Sequence, residues 1–311
     1  MDNTNIHNPL VSIIVVTYNS AKFVIETLES AKAQLYNNIE LIVTDDCSKD
    51  ETVKLCSKWI AQNKNYFVDA KIITSEVNTG IASNCNRGLR ASKGKWLKYI
   101  AGDDLLLDNC IADNLDFVNR YPNAKFITSK TENIGDNGNP YYCGPDRYKA
   151  LRKFYFGLSA KMQLKTYARL PVFLNSPAFF MNRELIVSVN GFDEEFKIYE
   201  DICIIFRIND VGERVYFFNS DTVKYRVHEN AISRNKNSAV HERRNKEQIL
   251  IFKKYRKKHL HIYNIVDLSV FYETWLLYKY KGFFGIKMIS ILQKFSVFFW
   301  YLKLISLKYK K

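Results

Sequence analysis

Three adjacent carboxylate pairs border apolar runs in this chain: Asp45-Asp46, Asp103-Asp104 and Glu200-Asp201. Asp103-Asp104 follows Gly102 and the run KWLKYIAG, whose near-alternation of Trp, Leu, Tyr and Ile reads as a buried strand. An unpaired buried charge costs several kcal/mol, to order of magnitude. Such a pair therefore belongs at the open edge of an α/β sheet, where ligands bind beyond the carboxyl ends of the strands. Hard carboxylate oxygens there suit Mg2+ or Mn2+ carrying a phosphate group. The alternative is structural, with Asp103 or Asp104 capping a helix that starts within LLLDNCIADNL. Glu200-Asp201 opens the apolar stretch ICIIFRI, where acids also complement a helix N-terminus. His228, in KYRVHENAIS, follows an expected strand, and imidazole suits Mn2+.

These groups need elements to position them. Residues 11–17 (VSIIVVT) form a short β-branched run, apolar on both faces, as a central parallel strand requires. Tyr18-Asn19-Ser20 breaks it, and Ser20 can cap a helix over 21–34. Further strands are expected at 39–44, 68–74 and 96–100, and helices at 49–61 and 82–92. Strand and helix thus alternate four times in the first hundred residues, the pattern of a parallel sheet covered by helices on both faces. Such a sheet gathers Thr17-Tyr18-Asn19, Asp45-Asp46 and Gly102-Asp103-Asp104 at one edge. No GxGxxG follows the first strand and there is no Walker motif, so a nucleotide would be held by side chains and a metal.

In this order and spacing, VSIIVVTYNS, ELIVTDDCSKDET, NTGIASNCNRGLRASKGKWLKYIAGDD and SPAFFMNRELIVSVNGFDEEFKIYEDICIIFRI resemble the family 2 inverting glycosyltransferases of the bacterial surface-polysaccharide type. The resemblance covers roughly residues 10–232. It implies a GT-A (Rossmann-like) α/β fold: a mixed, mainly parallel sheet flanked by helices, here with a C-terminal helical extension. It implies a UDP-sugar donor, a Mn2+ or Mg2+ cofactor, and a glycan or lipid-linked acceptor. By the same resemblance Thr17, Tyr18 and Asn19 line the nucleotide, with Asp45 accepting from uracil N3 and Asp46 beside it. Asn86 and Asp103 complete the donor contacts. Asp104 is the direct metal ligand, with Asp103 and His228 as its companions. The catalytic base falls on Asp201, with Glu200 second, because an acceptor hydroxyl must lose its proton as it attacks the anomeric carbon. Two positions depart from the pattern: Ala101 stands where the family often has Asp, and Cys85 where it often has Arg.

The chain has 311 residues, 47% hydrophobic and 25% charged, ordinary for a folded protein and against wholesale disorder. The division expected is a GT-A domain over 1–240, with a nucleotide-sugar half at about 10–107 and an acceptor half at about 108–240, then a basic, aromatic-rich helical extension over 241–311. Six cysteines without CxxC pairs read as reduced, packed thiols, and MDNTNIHNPL has no leader character, which points to the cytoplasm. The net charge of +14 is concentrated late: residues 253–311 hold thirteen Lys and Arg against two acids. Lys287, Gln293, Lys294 and Lys303 interrupt any apolar run of transmembrane length. Lysines interleaved with Trp and Phe suit an interfacial helix, on the cytoplasmic face of the inner membrane for a lipid-linked acceptor, or equally a helix packed on the catalytic domain or in a homodimer. Nucleic acid is disfavoured as a partner, since the acidic strand ends would repel its phosphates.

Overall fold

The computed structural model describes residues 8–143, 149–170, 172–229, 237–260, 267, 270–272 and 275. The chain divides into two compact units, Met1–Arg147 with Leu174–Ala231, and Tyr148–Phe173 with Ile232–Lys311. Residues 148–173 thus group with the C-terminal part rather than with the sequence on either side of them.

The first unit is organised on one eight-stranded sheet. Its N-terminal half is the expected alternation: β1 (Val11–Thr17), α1 (Val24–Lys32), β2 (Ile39–Asp45), α2 (Thr52–Asn63), β3 (Asp69–Thr74), α3 (Ile81–Ala91) and β4 (Trp96–Ala101). These strands lie in the order β3-β2-β1-β4 and all pair in parallel. Every residue of β2 is buried, which is why its sequence shows no alternation of polar and apolar positions. Thr17 is in register with Asp45, and Val16 with Ala101, so the ends of β1, β2 and β4 are level at one edge.

Beyond β4 the chain adds β5 (Leu105–Leu106), α4 (Cys110–Arg120) and β6 (Phe126–Ile134); α5 (Lys149–Phe156) and α6 (Ala160–Arg169) then fall in the second unit. The first unit resumes with β7 (Phe179–Asn182), α7 (Arg183–Ser188), α8 (Glu200–Asp210) and β8 (Val215–Arg226). β7 joins β4 antiparallel and extends the sheet through β6 and β8 to β5, making it mixed. Val15, Leu41, Ile100, Ile111, Ile127 and Phe180 belong to one buried apolar cluster that spans both halves.

Three boundaries differ by three residues or more from the sequence expectation. The first helix starts at Val24 rather than 21, because the Ser20 carbonyl accepts from both Phe23 N and Val24 N in a turn. The second starts at Thr52 rather than 49, where Asp50 accepts from the Thr52 amide at 3.0 Å and its hydroxyl at 2.5 Å. Leu105–Leu106 pairs with β8, and the next helix begins only at Cys110; Asp103 and Asp104 therefore do not cap it.

In the second unit α9 (Ser238–Ile251) continues into a π-helical turn, Phe252–Arg256, and a 3-10 turn, Lys257–His259. Arg256 Nε donates to the Ala168 carbonyl at 2.7 Å, and Arg169 pairs with buried Asp267 at 2.6 Å. All six cysteines are free thiols. Among the described residues no helix is long and apolar enough to cross a membrane. Lys287, Gln293, Lys294 and Lys303, and the interfacial helix expected around them, lie outside the described residues.

Candidate active site

The β1 and β2 ends form the first part of the site. Asp45 is fully buried and takes hydrogen bonds from Thr17 Oγ1 at 2.8 Å and from the Ser48 amide and hydroxyl at 2.8 and 2.5 Å. Asp46 accepts from the amides of Thr79 and Gly80 and the Thr79 hydroxyl, and pairs with Arg87 at 3.3 Å. Burial pushes this carboxyl up, but those donors outweigh it and hold it below the usual carboxylate range. Both carboxylates are thus spent on fixing loops: Asp45 joins β1 to the turn before α2, and Asp46 holds the N-terminus of α3. Asn19, at φ 52°, links the same loops by accepting from the Lys49 amide and donating its own amide to Ser48 Oγ. Tyr18 is left half-exposed beside this buried floor, a ring open to a flat partner.

Gly102 brings the β4 turn against β1. A Cβ built there stands 2.9 Å from Ser20 Cβ and Oγ and from Thr17 Cγ2, inside contact distance. Gly102→Ala is therefore expected to destabilise the fold by roughly 1–3 kcal/mol, the usual cost of overpacking, read from the shift in a urea unfolding curve. A shift below roughly 0.5 kcal/mol would mean that the two loops have room to part.

The adjacent acids then take opposite environments. Asp103 Oδ2 lies 2.9 Å from His228 Nε2, with the Asp103 side chain 30% exposed. Asp104 is buried, and its Oδ1 accepts from the Arg226 amide at 2.8 Å. Burial, and secondarily the Asp103 charge, push its carboxyl well above the usual range. The sequence expectation of Asp104 as direct metal contact meets a side chain turned into the protein; Asp103, paired with the largely buried His228, is the more exposed acid of the two. No group of three or more His, Cys, Asp or Glu side chains among the described residues is arranged to hold a metal alone. A carboxylate and an imidazole nonetheless fit Mg2+ or Mn2+, which commonly take one or two protein ligands and complete their shell with substrate phosphate oxygens and water.

Arg226 organises this corner and was not singled out from the sequence. Its fully buried guanidinium donates to the Asp103 carbonyl at 2.8 Å, the Asp136 carbonyl at 3.0 Å and Glu26 Oε2 at 2.7 Å. It also lies 4.4 Å from the Phe23 ring centroid, and that ring packs on His228. The available signal was phase, since Arg226 and His228 are two residues apart and point to the same side of an extended chain.

The acceptor-side residues are tied to α3. Asn86 is buried; its amide donates to the Phe192 carbonyl and Glu194, and its oxygen accepts from the Phe192 amide. That assigns Asn86, expected at the donor, to clamping the Gly191–Glu194 turn. Lys197 next reaches the Thr79 carbonyl, and α8 opens with Glu200 and Asp201 in its first turn. Asp201 Oδ1 accepts from the Ile202 amide at 2.8 Å, yet burial dominates and raises the carboxyl to about 6. A carboxylate with that affinity for a proton is suited to accepting one near neutral pH. Lys98 is buried under the neighbouring turn, its Nζ donating to the Pro177 carbonyl at 2.6 Å, and burial lowers its affinity for a proton.

This parallel-sheet edge, with a half-exposed aromatic, an acid–imidazole pair and a separate acid, lacks the glycine-rich turn of a dinucleotide or P-loop site. Comparison with known proteins agrees. Residues 12–185 match the model of Glycosyl transferase family 2. An uncharacterized glycosyltransferase of Rickettsia prowazekii is 30% identical over 227 residues, 72% of this chain and 66% of the relative. Glycosyltransferase GlyG of Streptococcus pneumoniae is 23% identical over 229 residues, 72% of this chain and 73% of the relative. The aligned stretch thus spans 66% of the Rickettsia prowazekii relative and 35% of one from Rickettsia conorii. Among solved structures, S. aureus TarS 1-349 in complex with UDP-GlcNAc gives a TM-score of 0.57 at 20% identity, covering 86% of this chain and 72% of that one. The mannosyltransferase PcManGT from Pyrobaculum calidifontis, in complex with GDP-Man and Mn2+, gives 0.59 at 18%, covering 92% and 74%. The chain belongs to glycosyl transferase family 2, and its fold is GT-A.

Proposed function

We propose that this chain transfers a sugar from a UDP-sugar, with inversion, to a hydroxyl of a glycan or lipid-linked acceptor in surface-polysaccharide synthesis. The observation that carries the reading is the division of labour among acids: Asp103 with His228 at the β4 edge, and the separate, proton-avid Asp201 at the start of α8. Tyr18 offers its ring to the base. Asp45 supports that pocket; its Oδ1 accepts one bond and keeps acceptor capacity for uracil N3, which reaches it only if the cover over this fully buried side chain moves. Asp103 and His228 would hold the divalent ion, which would offset the negative charge developing on the departing diphosphate. The acceptor oxygen bonds to the anomeric carbon as the bond to the diphosphate breaks, and the hydroxyl proton passes to the Asp201 carboxylate. UDP leaves with the electron pair. TarS is solved with UDP-GlcNAc, which supports a uridine donor; PcManGT, solved with GDP-Man, makes a guanosine donor the competing case.

Calorimetric titration of UDP tests the donor half. Binding is expected to strengthen with Mn2+ and to lose that gain in Asp103→Ala. Losing a side chain that holds or orients a metal site typically costs about 10–100-fold in affinity. Metal-independent binding unchanged by the substitution would sink the metal assignment, and GDP binding in preference to UDP would replace the donor.

A further inference from the structure

The formal charge is divided very unequally between the two units. Tyr148–Phe173 with Ile232–Lys311 carries 24 of the 46 Lys and Arg and 4 of the 32 Asp and Glu, a net of +20; the other unit carries 22 against 28, a net of −6. The basic excess therefore includes the insertion before β7, and belongs to a compact body rather than to a tail alone.

The described part of that body shows how some of this charge is presented. In the segment after α9, Phe252, Tyr255 and Leu260 are buried, while Lys253, Lys254, Lys257 and Lys258 are exposed. Arg256, between them, is turned inward onto the Ala168 carbonyl. Lys161, Met162 and Lys165 of α6 are exposed as well, and Tyr272 and Trp275 stack at 5.5 Å while remaining about half-exposed. Of the 24 basic residues, 18 are lysines. Ammonium groups on long stems act as point charges toward a diffuse negative surface, whereas specific phosphate recognition favours the guanidinium fork. Exposed Tyr and Trp beside them match the depth at which an amphipathic ring sits in lipid headgroups.

We propose that the basic unit docks the protein on an anionic lipid surface, through Lys253, Lys254, Lys257 and Lys258 together with the Tyr272–Trp275 pair. The acidic character of the other unit opposes its adsorption to the same surface, so the attraction is confined to one body. This attachment does not depend on which nucleotide sugar is the donor.

The test is co-sedimentation of the full chain with vesicles of phosphatidylcholine alone and with about one-third phosphatidylglycerol. Binding is expected to the anionic vesicles only, and to fall steeply as salt is raised, because exposed charges are screened within a Debye length. The quadruple variant Lys253→Gln, Lys254→Gln, Lys257→Gln, Lys258→Gln is expected to bind roughly a hundredfold more weakly or worse, from the attraction each lysine contributes near such a surface. Lys58→Gln with Lys64→Gln, exposed on the acidic unit, should leave vesicle binding unchanged. UDP titration on the quadruple variant should match wild type, separating loss of docking from misfolding or a wrong donor. Equal binding to neutral vesicles, or a quadruple variant that sediments like wild type, would overturn the proposal. So would tighter binding to random duplex DNA than to anionic vesicles at the same salt, which would assign the surface to nucleic acid.

Discussion

Asp201→Asn is expected to bind UDP as wild type does and to lose sugar transfer by roughly 10²–10⁴-fold in kcat, the range that general-base catalysis contributes. Asparagine keeps the shape of the side chain and can still accept from the Ile202 amide, but it cannot take the acceptor proton. In the wild type, burial raises the Asp201 carboxyl to about 6. The active form is the carboxylate, so kcat/KM should rise about tenfold per pH unit below that value and level off above it; the asparagine variant should lack this limb. Stability supplies an independent readout of opposite sign. An acid whose folded value lies above its unfolded value of about 3.9 favours the native state while protonated. The stability of Asp201→Asn relative to wild type should therefore grow between about pH 4 and 6 and stay constant above, the other acids contributing alike to both. A variant that loses activity and stability together would make Asp201 a structural residue; one that keeps turnover would move the base to Glu200.

The sequence was most readable where a residue's surroundings are themselves local. The β-branched runs at β1 and β2 and the level ends of the parallel strands follow from periodicity and chain order, and they place Thr17, Asp45 and Ala101 at one edge. Which acid of a pair faces out was not readable. Gly102 and Asp103 form a turn closed by the Asp104 amide on the Ala101 carbonyl, so strand alternation does not reach the pair, and the direction of Asp104 is set by Arg226, 122 residues further on. Asn86 illustrates the same limit: its partners Phe192 and Glu194 lie more than a hundred positions away. The grouping of 148–173 with the C-terminal part was equally hidden, because the basic-aromatic run of α5 fits an exposed helix face as well as a second compact body.

Arg226→Ala is expected to destabilise the protein by about 3–5 kcal/mol, from buried carbonyls left without a donor at about 1–3 kcal/mol each and from the space the side chain vacates. Four groups would lose a donor together: the carbonyls of Asp103, Gly135 and Asp136, and Glu26. Glu26 is half-exposed and can turn to water, so most of the cost falls on the carbonyls and on the space beneath the Phe23 ring. Against a typical total stability of about 5–15 kcal/mol, that loss is large enough to be read directly from a urea midpoint. The effect on the site should exceed the effect on folding. At low temperature, where the variant remains folded, Asp103 and the Phe23–His228 stack lose their common anchor, so the Mn2+-dependent gain in UDP affinity should fall while metal-free binding at Tyr18 persists. Arg226→Lys distinguishes charge from geometry. A single ammonium cannot span acceptors on α1, the β4 turn and the 135–136 loop, so it should recover part of the stability but little of the metal response. Full rescue by lysine would show that the corner needs only a positive charge, and a midpoint within about 1 kcal/mol of wild type in the alanine variant would remove Arg226 from the support of the site.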